Sequence, residues 1–321
     1  MIGQMLDVRV ARRTIEARDI CSYELVAADG RALPSFSAGS HIDVRLPDGV
    51  VRQYSLCNSP AASRSYLIGV LRDPMSRGGS QRLHDDVREG DLLQISAPRN
   101  HFPLAHDASQ HILLAAGIGV TPILCMAERL AVIGASFKMH YCARASDRAA
   151  FQDRIRRSPF ADRVRFHFDN GPVEQLFDIP KAVPWPSAGL HLYVCGPKGF
   201  MDAVLAAARA KGWDGTHLHF EFFSANVTLT GREKAFKVKL ASTGQVIDVP
   251  ANGTVIDALA HAGVEVYTSC REGVCGTCLT RVLEGRPEHR DLFLTPEDKA
   301  GNDQFTPCCS RSQTPVLVLD L

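Results

Sequence analysis

Three cysteines fall within nine residues of Ser269-Cys270-Arg271-Glu272-Gly273-Val274-Cys275-Gly276-Thr277-Cys278, and no other feature of this 321-residue chain constrains its fold so tightly. In a small secreted domain such crowding signals a disulfide framework. This chain is long enough for two or three domains with cores of their own. Its start, MIGQMLDVRVARR, lacks the apolar core of a signal peptide, so a reducing cytoplasm is the expected setting. Ten cysteines there are read as thiols for metal or redox chemistry rather than staples. At 45% hydrophobic and 22% charged residues the composition is that of a soluble globular protein. A net charge of +1 gives neither nucleic acid nor an anionic membrane an electrostatic hold. No apolar run approaches the roughly 20 residues of a membrane span.

The spacing Cys270-x4-Cys275-x2-Cys278 is that of a [2Fe–2S] loop, which takes its fourth thiolate from far along the chain. Zinc sites favour two matched pairs instead. Cys308 and Cys309, in QFTPCCSR, are the candidates for the fourth position. Small residues between the ligands (Gly273, Gly276, Thr277) let backbone N–H groups approach the sulfurs, where hydrogen bonds help set the potential. His261 and His289 are read as structural, since four cysteines already suffice.

The segment from about Lys234 to Leu321 resembles a plant-type ferredoxin domain, an α+β, β-grasp-like fold. By that resemblance Cys308, separated from Cys278 by twenty-nine residues, is the fourth ligand and Cys309 a small neighbour. The local pattern agrees. AFKVKLAS and QVIDVP flank a hairpin turn at Thr243-Gly244. TVIDALAHAG reads as a helix with Thr254 as N-cap and Gly263 just past its end. LTRVLEG and PVLVLDL read as strands.

Upstream, HILLAAGIGVTPILCMAERLAVIGA is a strand, a glycine turn and a helix, with Pro122 in the first turn, where its missing N–H costs nothing. The helix N-terminus behind two glycines suits a phosphate. SFKMHYCAR, RVRFHFDN and HLYVCGP add strands alternating with helical stretches, which implies a parallel α/β sheet with its site at the strands' carboxyl ends. Together these resemble the NAD(P)-binding domain of the ferredoxin-NADP reductase superfamily. The resemblance implies that Gly117, Gly119, Val120, Thr121 and Pro122 contact the dinucleotide and that Cys195, Gly196 and Pro197 lie near the nicotinamide. Cys195 is expected to matter for its small size, not as a nucleophile. Arg144 and Arg148 stand beside Asp147 after the second strand, a mixed set that leaves the 2′-phosphate question open. The resemblance implies NADH, with Arg144 among its contacts.

The first 104 residues alternate short β runs with turns at Asp48-Gly49 and Glu89-Gly90-Asp91, as a small antiparallel barrel would. Arg52-Gln53-Tyr54-Ser55 resembles the flavin motif of the same superfamily. An arginine offers forked donors to phosphate, an aromatic packs on the isoalloxazine and a hydroxyl reaches its redox-active nitrogen. Arg77-Gly78-Gly79-Ser80 can form an anion-binding nest ahead of a helix. With no dedicated adenine segment, FMN is expected rather than FAD. Phe223, ending HLHFEFF, is the aromatic expected near the flavin, with Phe220 and Phe222 in the core and Glu221 a possible aid to hydride alignment.

The order of parts resembles the phthalate dioxygenase reductase family, and within it the reductases of vanillate O-demethylase systems. The implied layout is an FMN-binding β-barrel over 1–104, an NAD-binding α/β domain over 105–223, a linker over 224–234 and a [2Fe–2S] ferredoxin over 235–321. The implied activity is NADH-dependent electron transfer through FMN and the cluster, one electron at a time, to an oxygenase, with no acid–base dyad. A cluster near roughly −400 mV and a Rieske acceptor at about −150 mV or above favour that step by about four decades. A haem or di-iron monooxygenase suits the same arithmetic, and an iron–sulfur redox sensor is the reading from a different class. Docking is expected around Arg271, Glu272, Val274 and Thr277, on a monomeric, cytoplasmic protein.

Overall fold

The computed structural model describes residues 5–46, 49–61, 64–74, 78–223 and 233–321. Arg77, Asp48 and most of the expected linker lie outside them. The chain forms two compact units that divide between Phe222 and Phe223.

The first unit opens with antiparallel strands β1 (Leu6–Ala17), β2 (Ile20–Ala27), β3 (Ser40–Arg45), β4 (Val51–Ser55), β5 (Tyr66–Leu71) and β6 (Leu92–Ile95), in the order β4-β3-β6-β1-β2-β5. A two-residue strand, β7 (Arg99–Asn100), pairs with β3. Alternation drives the sheet: in β1, Val8 and Val10 are buried while the alternating Asp7 and Arg9 are exposed. Val8, Tyr23, Ile42, Ile68 and Ile95 fill the interior. The two edges meet through one antiparallel bridge, Leu56 to Ile68, beside the bond from Cys57 N–H to the Leu67 carbonyl (2.9 Å). The sheet thus curls on itself but is joined by a single bridge, not by the continuous ladder of a closed barrel. Helix α1 (Gly79–Asp86) packs on β5.

The same unit continues as a parallel sheet of β8 (Gln110–Ala116), β9 (Ser136–Ala143), β10 (Val164–Phe168), β11 (Leu190–Cys195) and β12 (Leu218–Glu221), in the order β10-β9-β8-β11-β12. Helices α2 (Val120–Val132), α3 (Gln152–Arg156), α4 (Ile179–Ala182) and α5 (Lys198–Ala210) join the strands. The chain steps one way from β8 to β9 and the other way to β11. Such a switch point opens a crevice at the strands' carboxyl ends. Helix α3 is shorter than DRAAFQDRIRR suggests, because the buried Phe151 takes a left-handed conformation (φ 60°) ahead of it. Ile20, Cys57 and Phe102 pack in one core with Leu124, Tyr141 and Phe151, which binds the two sheets into one unit.

The second unit holds β13 (Phe236–Leu240), β14 (Val246–Val249), helix α6 (Val255–His261), β15 (Thr280–Glu284), β16 (Pro287–Glu288), helix α7 (Pro296–Gly301), β17 (Gln304–Phe305), β18 (Arg311–Ser312) and β19 (Val316–Leu319). The sheet order is β14-β13-β19-β15-β17, with β13 antiparallel to β14 and parallel to β19. Thr254 caps α6, its hydroxyl accepting from Asp257 N–H (3.1 Å). Helix α7, which the sequence reading did not anticipate, carries a reciprocal Thr295–Asp298 capping box. No helix among the described residues is long and apolar enough to cross a membrane.

Candidate functional site

In the second unit Cys270, Cys275, Cys278 and Cys308 are all buried. Their thiols hydrogen-bond one another, Cys270 with Cys275 and Cys308, and Cys308 with Cys278. The donors Cys275 and Cys308, helped by the Glu272 N–H 3.3 Å from Cys270 Sγ, hold the Cys270 thiol far below its ordinary range. The Thr277 N–H points at Cys275 Sγ (3.5 Å). A Cβ on Gly276, at φ +65°, would run into the Phe293 ring, so the loop can follow this path only with glycine there. Four buried sulfurs with N–H groups aimed at two of them are the donor set a [2Fe–2S] cluster requires. Cys309 touches this set through Cys308, and its sulfur also lies 3.2 Å from Thr306 Oγ1 and against the Gly273 backbone. At the rim, Arg271 is half-exposed and bonds Asp257 Oδ1 at 2.6 Å, a partner the sequence gave no sign of.

In the first unit two glycine turns meet at the switch point. The carbonyl of Cys195 and the N–H of Gly196 sit where a Cβ on Gly119 would be, so the Gly117–Gly119 turn lies directly on the Cys195–Gly196 turn. Val120, Thr121 and Pro122 open α2 as buried residues, and Thr121 Oγ1 donates to the Ile118 carbonyl (3.0 Å). Cys195 is fully buried, and burial raises its thiol well above the ordinary value. Arg144 follows β9 and has no ion-pair partner among the described residues. Asp147 and Arg148 instead face the β1–β2 turn, pairing with Arg18 (3.9 Å) and Asp19 (3.5 Å).

The flavin-motif residues lie on β4, beside this crevice. Tyr54 is half-buried, and desolvation raises its phenol pKa. A Cβ on Gly79 would stand 2.5 Å from Arg52 Cγ, so the arginine lies across the start of α1. That brings Arg52, Gly78, Gly79 and Ser80, remote in sequence, into one cradle fit for a phosphate. Ser55 Oγ donates to Glu221 Oε2 at 3.3 Å. Glu221 is paired in register with Cys195 at the ends of β12 and β11. Burial pushes its carboxyl up to about 8, and the Ser55 bond opposes that only in part. The hydroxyl at the end of β4 and the Cys195–Gly196 turn therefore share one wall.

One expectation changes. Phe220 is 37% exposed, because β12 is an edge strand with one face uncovered. Phe222 does pack, half-buried, against the core around Leu192 and Val194. Phe223 is exposed and begins the second unit.

A thiol-lined cluster loop in one unit and a flavin-and-dinucleotide crevice in the other define an iron–sulfur oxidoreductase. The 2Fe-2S iron-sulfur cluster binding domain family matches residues 238–313, and the N-terminal domain of dimethylamine monooxygenase subunit DmmA-like proteins matches 96–218. Vanillate O-demethylase oxidoreductase of Pseudomonas putida is 57% identical over 318 residues, which cover 99% of this chain and 100% of that one. The solved phthalate dioxygenase reductase, described as a modular structure for electron transfer from pyridine nucleotides to [2Fe-2S], superposes with a TM-score of 0.77 at 38% identity, covering 99% of this chain and 98% of that one. An intact type IV self-sufficient cytochrome P450 monooxygenase gives 0.86 at 36% identity, covering 99% of this chain and 41% of the other. The chain belongs to the phthalate dioxygenase reductase-like family, FNR-like flavin and nucleotide modules followed by a ferredoxin domain.

Proposed function

We propose that this protein is the reductase component of a multicomponent oxygenase, passing electrons from NADH through FMN and a [2Fe–2S] cluster to a Rieske non-haem iron oxygenase or O-demethylase. The observation that carries the reading is the Ser55–Glu221 hydrogen bond, which joins the flavin motif to the nicotinamide-side turn. When bound, the nicotinamide supplies an electron pair, and flavin and cluster divide it into single electrons for the partner.

The chain's own residues orient these groups. Arg52 with Gly78, Gly79 and Ser80, and with Arg77 outside the described residues, would hold the FMN phosphate. Tyr54 would pack on the ring beside Gln53, with Ser55 near its reactive nitrogen and Phe223 on the nicotinamide side. Gly117, Gly119, Val120, Thr121 and Pro122 would take the pyrophosphate, Arg144 the adenosine side, and Cys195, Gly196 and Pro197 the nicotinamide. Cys270, Cys275, Cys278 and Cys308 would ligate the cluster, leaving its rim for a small, transient contact with the oxygenase.

Domain boundaries at 104, 223 and 234, a monomeric state and a cytoplasmic setting complete the proposal. A haem monooxygenase is the second reading for the partner, favoured by the likeness to a self-sufficient P450 chain. Anaerobic titration with NADH tests the proposal: flavin and cluster bands should bleach together, with about three electrons taken up per chain. Bleaching of flavin alone would overturn it.

A further inference from the structure

We propose that His191, His217 and Asp107 form a binding site for a zinc-class divalent cation at the base of the parallel sheet. His191 is the second residue of β11, so it sits four residues, about 13 Å, from the Cys195 turn. The site is therefore apart from the electron-carrying crevice.

His191 is 2% exposed, yet its Nε2 has no hydrogen-bond partner. A buried polar atom left unpaired calls for an explanation, an ion being one. The atom nearest in charge is Asp107 Oδ1, at 3.8 Å. That is too long for a hydrogen bond and too short for a bridging water, which would hold the pair about 4.5–5 Å apart. Two ligands of one tetrahedral zinc stand about 3.5 Å apart.

The second histidine is arranged the same way. The His217 ring centre is 4.7 Å from that of His191. Its Nδ1 is anchored by Asp214 Oδ1 (3.0 Å) and Thr216 Oγ1 (2.7 Å), while His191 Nδ1 is anchored by His219 Nε2 (2.9 Å). Both histidines thus have one ring nitrogen fixed by a neighbour and the other, Nε2, left over, the arrangement that orients metal-ligating histidines. His219 is itself stacked on Tyr193 (4.6 Å between centres), which stiffens the back of the site.

Among the described residues no three such side chains already close around an ion-sized space. Here Asp107, 82% exposed, has room to turn, and His217, 36% exposed, need only shift about the Nδ1 that Asp214 and Thr216 hold. Histidine nitrogen and carboxylate oxygen select a borderline ion of the zinc and copper type over magnesium or calcium. A bound ion would tie the segment entering β8 to the ends of β11 and β12.

The test is equilibrium dialysis of the holoprotein, iron and flavin loaded, against buffered Zn²⁺, with metals counted per chain. One zinc should bind while two irons stay. Asp107→Ala and His217→Ala should each weaken binding at least tenfold, and Asp214→Ala about tenfold. NADH-driven dye reduction should be unchanged in the first two, which also shows that they are folded. In the oxidised protein, whose flavin and cluster are diamagnetic, Cu²⁺ bound in place of zinc should give an EPR spectrum with two nitrogen ligands. Zinc uptake only as iron is lost, wild-type affinity in the double variant D107A/H217A, or an oxygen-only copper spectrum would each overturn the proposal.

Discussion

Ser55 Oγ donates to Glu221 Oε2 at 3.3 Å across 166 residues of sequence, and this bond joins the last residue of β4 to the last residue of β12. It holds a carboxyl that burial has raised to about 8, so at neutral pH the group is mostly protonated and brings little negative charge to the crevice. A buried carboxylate there would repel incoming electrons; a carboxylic acid does not.

Removing either partner should therefore slow reduction of the flavin. Ser55→Ala and Glu221→Ala should each lower NADH-driven ferricyanide reduction about tenfold, the loss of one partly buried hydrogen bond worth about 1–2 kcal/mol. The double variant should lose less than the product of the two, since both act through one bond. Stopped-flow bleaching of the flavin band measures this, and fully multiplicative losses would show that the residues act separately.

The same carboxyl makes stability depend on pH. Its folded value is raised from an ordinary 4.5 to about 8, so the native state keeps a proton that the unfolded chain gives up. The contribution is fully present below about 4.5 and is lost as pH rises through about 8. Glu221→Gln should match the wild-type melting temperature at pH 4.5 and exceed it increasingly towards pH 8. Melting curves that stay parallel across this window would mean that the carboxyl is ionised throughout.

The arginine across the start of α1 gives a test of the phosphate cradle. Arg52→Ala should weaken FMN binding about tenfold to a hundredfold, the range of a charge-assisted hydrogen bond pair. Arg52→Lys should recover only part, because it keeps the charge and loses the fork. Gly79→Ala should act like a weaker Arg52 variant, since its Cβ would stand 2.5 Å from Arg52 Cγ. Fluorescence of released flavin reads all three.

Arg271 was expected on the docking surface, and its pairing with Asp257 refines that expectation. Arg271→Glu would set two carboxylates together, so a slower reaction could come from a shifted loop. Arg271→Gln is the cleaner change. It should slow oxygenase reduction several-fold at low salt, less at high salt, with NADH-driven dye reduction intact. Equal slowing at both salt concentrations would remove the steering role.

Local chemistry was legible in the sequence where one short segment carries it. The hairpin at Thr243-Gly244, the Thr254 cap and the x4, x2 cysteine spacing are set by residues within a turn of one another. Glu221 beside Ser55 was not legible, because it depends on which strand ends the parallel sheet lays against β4. Phe220 was misread for a related reason: alternation gives a strand two faces but does not say which face a neighbour covers, and β12 is an edge. The histidines around His191 gave no signal at all, since residues 191, 217 and 219 meet only through the register of β11 with β12.

Cys308 and Cys309 could not be told apart by position, and their surroundings now separate them. Cys308 reaches the sulfurs of Cys270 and Cys278, whereas Cys309 reaches that of Cys308, is held by Thr306 and packs on the bare backbone of Gly273. Cys308→Ala should therefore yield protein with flavin but without the cluster's visible bands or its two irons. Cys309→Ala should keep both irons and lose about 1 kcal/mol of stability, the cost of a small buried cavity. Replacing Gly276 with alanine should resemble the Cys308 variant, because the new methyl meets the Phe293 ring and the residue must hold φ +65°. Trimming the ring in Gly276→Ala/Phe293→Ala relieves the collision but not the backbone strain, so iron content should recover only in part. Iron and flavin counts on the four proteins decide it: if Cys309→Ala loses the irons and Cys308→Ala keeps them, the fourth ligand is Cys309.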